Sequence, residues 1–306
     1  MSSKHTVTEA LAGQRLDKAL VALAEGASRA KVKAAIEDGR VRVNGRRCAK
    51  GALVAAGDVI DVEVEIERGD APCIPEDAPL DVRYESEHVV VVYKPAGQPT
   101  APLKRGETGA LANALVGKYP EMASIGYSPR EPGLIHRLDT DTSGLLVAAR
   151  DAATLDALRE ALQAGTLEKS YLLVCASEDL PDVGTIAHPI ANHPKDKRRV
   201  LVCAHPRDVM RNDPRPATTH FTVERRSGPW ALVRAEAPKA LRHQIRAHFA
   251  SIDHPLAGDV LYGGPAVEGL TRHALHAARV ALQSGRPETT FDVSAPLPDD
   301  LERLLT

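Results

Sequence analysis

A chain of 306 residues can bury a substantial core without help from metals or disulfides, and it is long enough for two units. The four cysteines, Cys48, Cys73, Cys175 and Cys203, stand far apart with no CxxC pair, which excludes a zinc knuckle or a disulfide framework and fits a reducing compartment. The opening stretch MSSKHTVTEALAGQ lacks a signal peptide's apolar core, and no run approaches the ~18 apolar residues of a membrane span, so a cytoplasmic protein without a membrane partner is expected.

The formal net charge of -2 hides a strong asymmetry. Residues 14–50 carry ten Lys or Arg against four acids, residues 57–88 eleven acids against two Arg, and residues 190–250 thirteen Lys or Arg against five acids. Two basic segments flanking an acidic one suit a polyanionic partner, although solvated faces of differing sign would give the same counts.

From the N-terminus, SRAKVKAAIEDG predicts a helix with Ser28 as cap, Val32, Ala35 and Ile36 as the apolar face, and Gly39 as the stop. VRVNG reads as a short strand closing on an Asn44-Gly45 hairpin turn, and GDVIDVEVEI as an alternating strand. Arg29, Lys31, Lys33, Arg40, Arg42, Arg46 and Arg47 are then left for one exposed surface suited to phosphates. The arrangement RLDKAL, SRAKVKAAIEDGRVRVNGR, GDVI resembles the RNA-binding module of the S-four ribosomal protein type over residues 14–66. Residues 67–81, rich in Pro and acids with no apolar period, read as a linker.

Beyond it, HVVVVYKPAG predicts a buried strand ending in a turn, and GLLVAA a second apolar strand. DAATLDALREALQAG predicts a helix capped by Asp151, with Leu155, Leu158 and Leu162 inward and Gly165 as stop. KSYLLVC, THFTVER and WALVRAEA read as further strands. In KALRHQIRAHFASI, Leu241, Ile245, Phe249 and Ile252 mark the buried stripe of a helix, with Arg242 and Arg246 on a neighbouring face. The expected class is α+β: a small α/β RNA-binding module, then a larger domain over residues 82–306 with a mostly antiparallel mixed sheet and a central RNA-binding cleft.

HRLDTDTSGLLVAAR, residues 136–150, poses the main question of chemistry. Asp139, Asp141, Ser143 and Gly144 imitate the start of a calcium loop, but the twelfth position, where that loop needs a Glu, is Arg150, and a strand-like run follows where a helix is required. A metal site is therefore not expected, and neither is a cofactor. His243 and His248, five apart without an acid beside them, read as structural hydrogen-bonding residues.

In order along the chain, VVYKPAG, GLIHRLDTDTSGLLVAAR, KSYLLV and RHQIRAHFASIDHPLAGDVLYGG resemble the pseudouridine synthases of the RluA/RluD type, over nearly the whole length. The resemblance implies an isomerase that breaks the bond from uracil to ribose, turns the base and rejoins it through carbon five. It implies Asp139 as the essential carboxylate, acting as nucleophile or as base, with Asp141 as a structural hydrogen-bonding residue. It further implies Tyr171 against the uracil, Arg246 paired with Asp139, and Arg137 entering RNA where the base has flipped out. Lys169, two residues before Tyr171 on one strand, would share its face and support the pocket.

The chain has Ala240, Leu241 and Arg242 where relatives carry Gly-Arg-Thr before HQIR, so an RNA contact is shifted or missing. Ala101 likewise precedes Pro102 where relatives often have His. RNA binding is expected from Arg29, Lys33, Arg40, Arg42, Arg46, Arg137, Lys169 and Arg242. The expected substrate is large-subunit ribosomal RNA, bound by a monomer. Transfer RNA, or a catalytically silent RNA-binding or ribosome-assembly role, are the alternatives.

Overall fold

The computed structural model describes residues 3–24, 29–63, 72–126 and 128–306, with the side chains of Arg29 and Ala30 outside that description. The chain divides into two units, Met1–Cys73 with Leu103–Glu107 and Ser128–Arg130, and Ile74–Pro102 with Thr108–Tyr127 and Glu131–Thr306. The division falls inside the segment that composition marks as a linker. Residues 64–71, and with them the end of the GDVIDVEVEI run and the start of the linker, lie outside the described residues, as does the capping position Ser28.

In the first unit, β1 (Ser3–Thr6), α1 (Leu16–Leu23), α2 (Arg29–Glu37), β2 (Val41–Val43), β3 (Arg46–Arg47) and β4 (Val59–Val62) follow in order. The strands form an antiparallel sheet in the order β1-β4-β2-β3. Leu16 and Leu20 of α1 meet Val32 and Ile36 of α2 over Val41, Ile60 and Val62, all buried. Asn44 and Gly45 both adopt positive φ, 50° and 78°, the geometry of the tightest hairpin turn. Asn44 Oδ1 also accepts from the Val59 amide at 2.9 Å, tying the turn to β4.

The second unit contains β5 (Asp81–Glu85), β6 (Val89–Lys94), α3 (Leu111–Lys118), β7 (Ser143–Ala149), α4 (Ala152–Ala164), β8 (Glu168–Ala176), β9 (Val183–Ile186), β10 (Ile190–Asn192), β11 (Val200–Val202), α5 (Pro206–Asn212), β12 (Thr219–Ser227), β13 (Trp230–Glu236), α6 (Gln244–Ser251), β14 (Leu275–Leu282), β15 (Phe291–Ser294) and α7 (Asp299–Glu302). Among the described residues, its main sheet runs β5-β6-β7-β14-β8-β13-β12-β9 with β15 beside β14, and β10 and β11 form a separate ribbon. Every pairing in the main sheet is antiparallel except β7 with β14. The continuous apolar runs of β6 and β7 are explained by burial on both faces, for Val89 to Val92 and Leu145 to Ala149 are fully covered.

Two glycines set the sheet's centre. Gly144 has φ of 120°, and a Cβ there would stand 2.2 Å from the Ala277 carbonyl oxygen, so only glycine permits the parallel approach of β7 to β14. Gly258 has φ of 73° and would collide in the same way with the Arg272 carbonyl. Helix α4 starts as predicted, with Asp151 Oδ1 accepting from the Thr154 amide at 2.8 Å, and stops at the left-handed Gly165.

The helix expected across KALRHQIRAHFASI is shorter than its periodicity suggests. His243 takes a left-handed conformation, φ 55°, so α6 begins at Gln244, whose side chain accepts from the Leu241 amide at 2.9 Å. Leu241 and Arg242 therefore precede the helix, and Ile252 follows it. Among the described residues, no helix is long and apolar enough to cross a membrane.

Candidate active site

Asp139 lies in the loop that leads into β7, with about a fifth of its side chain exposed. The loop is held from several sides. Its Thr142 amide donates to the Asp139 carbonyl at 3.1 Å, and the Gly97 amide donates to the Thr140 carbonyl at 2.9 Å. Thr100 Oγ1 donates to the Leu138 carbonyl at 2.7 Å, while Thr142 and Ser143 place their hydroxyls against His273 and His276 at 2.7 and 2.9 Å.

Lys94, at the end of β6, is fully buried and gives its three protons to the carbonyls of Pro95, Gln98 and Thr140 at 2.9, 2.8 and 2.8 Å. It thereby locks the PAGQ turn to the loop of Asp139. Burial pulls its pKa down to about 8, against the opposing fields of Asp141 and Asp139. Asp141 itself is exposed, and the bond the structure gives it is through its carbonyl, which accepts from Arg272 Nη1 at 3.3 Å. The structural hydrogen bonding expected of Asp141 thus comes from its backbone.

Arg246, on the buried face of α6, donates from Nη1 to Asp139 Oδ2 at 2.9 Å. Its other edge forms a two-pronged pair with Asp259, Nε to Oδ2 at 2.7 Å and Nη2 to Oδ1 at 2.8 Å. Burial alone would lower the Arg246 pKa, but the bonds and field of Asp259, then those of Asp139, raise it well above the usual arginine value. Asp259 is almost wholly buried and follows Gly258 directly. Sequence reasoning missed it, although GDVLYGG offers a signal: an acid between turn glycines just beyond a basic helix.

His243 also belongs to this group. Its Nε2 stands 3.7 Å from Asp139 Oδ2, and its Nδ1 lies 3.0 Å from the Tyr262 hydroxyl. That hydroxyl already accepts from the Val200 amide at 2.9 Å, so its own proton is directed to Nδ1 and the imidazole proton is assigned to Nε2, facing Asp139. Burial lowers the His243 pKa, only partly offset by Asp139, so the ring is a neutral donor at pH 7. The Tyr262 ring lies 5.2 Å below the Arg246 guanidinium carbon. His248, by contrast, is structural as expected: it donates from Nε2 to the His188 carbonyl at 2.9 Å and accepts at Nδ1 from Thr219.

Tyr171, in the middle of β8, is buried, and burial followed by the field of Asp139 pushes its phenol above the usual tyrosine value. The structure thus brings Asp139, Arg246 and Tyr171 together. Lys169 is buried on the same strand. Arg137 is exposed and meets Glu131 at 2.8 Å in a surface ion pair. Arg242 is exposed, but two of its donors brace the carbonyls of Lys197 and Arg199 at 3.0 and 2.8 Å, in the basic connection between β10 and β11. In the first unit, Lys33, Arg40 and Arg46 are exposed, and Arg42 is half-buried against Glu63 at 2.8 Å. The Arg29 side chain lies outside the description.

The RNA pseudouridylate synthase family profile matches residues 88–251, which include Asp139, Tyr171 and Arg246, and an S4 domain profile matches residues 14–60. A ribosomal large subunit pseudouridine synthase D of Yersinia pestis is 34% identical over 314 residues, covering 98% of this chain and 92% of the relative. The chain belongs to the RNA pseudouridylate synthase family. Its Escherichia coli K12 relative of the same name is 33% identical over 314 residues, with 98% and 92% coverage. Among solved structures, human RNA pseudouridylate synthase domain containing 1 shares the fold, with a TM-score of 0.55 at 23% identity over 73% of this chain and 85% of that one. In this synthase, the loop of Asp139, the strand of Tyr171 and the helix of Arg246 all lie in the second unit.

Proposed function

We propose that this synthase converts uridine to pseudouridine in large-subunit ribosomal RNA, with Asp139 as the carboxylate that acts on the sugar. One observation carries the assignment of residues: Asp139 keeps an exposed edge while Arg246, itself buried, holds its Oδ2 at 2.9 Å. A carboxylate fixed by one oxygen and open at the other is placed to attack the anomeric carbon or to take a ribose proton.

The reaction breaks one carbon–nitrogen bond and makes one carbon–carbon bond, while a proton leaves carbon five and one arrives at N1. Oxidation state is unchanged. Tyr171, whose raised pKa keeps its proton in place, offers a flat face beside Asp139 for the uracil. Arg246 steadies the carboxylate through the cycle, and Asp259 steadies Arg246. The target nucleotide must leave its stack, at a cost of roughly a few kcal/mol, and Arg137 is exposed to fill the gap.

The module over residues 14–66 supplies phosphate contacts through Lys33, Arg40 and Arg46, and the catalytic domain follows the linker of residues 67–81. The substrate assignment draws on the names of the 34% identical relatives, which state a ribosomal large-subunit activity for those proteins.

The deciding experiment incubates the chain with unmodified transcripts of large-subunit ribosomal RNA and of transfer RNA, then maps carbodiimide adducts by primer extension. A new stop in the ribosomal transcript is expected. A stop in transfer RNA alone would move the substrate, and none in either would leave an RNA-binding protein without this activity.

A further inference from the structure

Two buried lysines of the second unit meet opposite fates. Lys94 spends all three ammonium protons on backbone carbonyls. Lys169 is 6% exposed, yet among the described residues its ammonium has neither a carboxylate nor a hydrogen-bond acceptor, and burial alone shifts its pKa, down to about 8. At neutral pH it remains mostly charged. A buried ammonium is normally paired, because leaving water without a partner is costly.

The surroundings collect donors. Lys169 lines a cleft of about 450 Å³ with His136, Leu162, Gln163, Lys239 and Ala240, and no acidic side chain is among them. His136 accepts the Val147 amide at Nε2, 3.3 Å away, which assigns its proton to Nδ1, and Nδ1 is buried without a partner. Burial, then the field of Lys169, depresses the His136 pKa to about 3, so the ring stays neutral and supplies no charge to the cleft. Lys239 adds a second cation at the exposed rim. A cleft lined by a buried and an exposed lysine, with no acidic side chain to pair them, suits an anion. Lys169 stands two residues from Tyr171 on β8, about 6.6 Å along the same face, so that anion would lie beside the nucleotide at Asp139.

Building on the reading above, we propose that Lys169 and Lys239 form a phosphate subsite, which takes a phosphodiester of the RNA strand next to the nucleotide being isomerised. A uracil carbonyl could accept one hydrogen bond but would leave both charges uncompensated.

The test compares the full-length wild type with Lys169→Met and Lys239→Met, measuring affinity for a large-subunit ribosomal RNA transcript over a range of salt. Each variant is expected to lower the slope of log affinity against log salt, and the two substitutions together to lower it by about 0.7 to 0.9, the signature of one lost phosphate contact. RNA-free Lys169→Met is expected to melt no lower than the wild type, since it loses a charge with no protein partner. An unchanged slope in both variants would overturn the proposal, whether binding holds or weakens, because a base acceptor or a structural lysine releases no counterion. Should Lys169→Met fail to fold, the exposed Lys239 still decides the slope. Pseudouridine formation is scored separately in the wild type, so an inactive wild type with the expected slopes would remove the enzymatic reading and keep the subsite.

Discussion

Arg246 gives two hydrogen bonds to Asp259 and one to Asp139. The partner with the fuller hold is thus the buried Asp259, and the more exposed Asp139 takes the remaining prong. Geometry of this kind fixes the guanidinium independently of the reacting carboxylate, as a two-pronged pair does better than a single contact.

Asp259→Asn tests that arrangement. The amide would turn an NH2 toward guanidinium donors, so at least one charge-assisted bond is lost, worth about 1.5 to 3 kcal/mol. If that loss reaches the transition state, single-turnover pseudouridine formation falls by roughly 10- to 150-fold. RNA affinity should change little, because Asp259 is buried. A wild-type single-turnover rate would show that α6 packing alone positions Arg246.

Asp139→Asn should abolish or nearly abolish turnover while leaving the fold intact, because Arg246 keeps its pair with Asp259. The residual rate has diagnostic value. Loss of a general base typically costs about 10²- to 10⁴-fold, so a measurable remainder favours the base role, and complete loss favours the nucleophile. Asp141→Asn, at an exposed side chain, should stay within a few-fold of wild type by primer-extension assay.

The strong elements were legible where local physics decides them. Asp151 and Gly165 delimit α4 by capping chemistry, and the runs VVVV and LLVAA mark the doubly buried strands. The loop of Asp139 was legible through its resemblance to a known motif. Periodicity overextends helix α6 because the apolar spacing continues through Leu241, while a left-handed His243, in tertiary contact with Tyr262, delays the helix start to Gln244. Asp259 and Lys94 escaped for a related reason. Their roles depend on partners brought close by the sheet, such as Thr140, which lies 46 residues from Lys94, and no periodicity encodes such pairings.

The first unit should contribute affinity in proportion to its exposed cations. Replacing Lys33, Arg40 and Arg46 together by Ala removes exposed charges and no core atoms. If each contacts one phosphate, the salt slope for RNA binding should fall by about 0.7 to 0.9 per residue, with turnover at saturating RNA maintained. Arg42→Ala should cost less, since Glu63 holds Arg42 at 2.8 Å, closer than the 3.8 Å at which Glu37 meets Lys33. Filter binding across a salt series would check both, and equal slopes for the triple variant and wild type would assign RNA contact to other surfaces.

Lys94 offers a test in which stability and pH are joined. Lys94→Met removes the donor of the Pro95 and Gln98 carbonyls, whereas the Thr140 carbonyl keeps the Gly97 amide, and an acceptor left unsatisfied away from water costs about 1 to 3 kcal/mol. Relief from burying an ammonium offsets part of that cost, so a net loss on the order of 1 kcal/mol is expected, accompanied by slower turnover as the loop of Asp139 loosens. The sign of the pH dependence follows from linkage. The folded-state pKa of about 8 lies below the ordinary lysine value of 10.5, so between these limits the unfolded chain holds more proton than the folded one. Unfolding free energy therefore gains a positive slope from Lys94 as pH rises through that window. The methionine variant lacks this gain, and its deficit relative to wild type should widen from about pH 7 to about pH 9.5. The titration of Lys169 is common to both proteins and cancels in the difference. Urea unfolding of both proteins at the two pH values measures it, and a deficit that narrowed instead would mean that Lys94 gains a stabilising partner in its charged form and not a net burial cost.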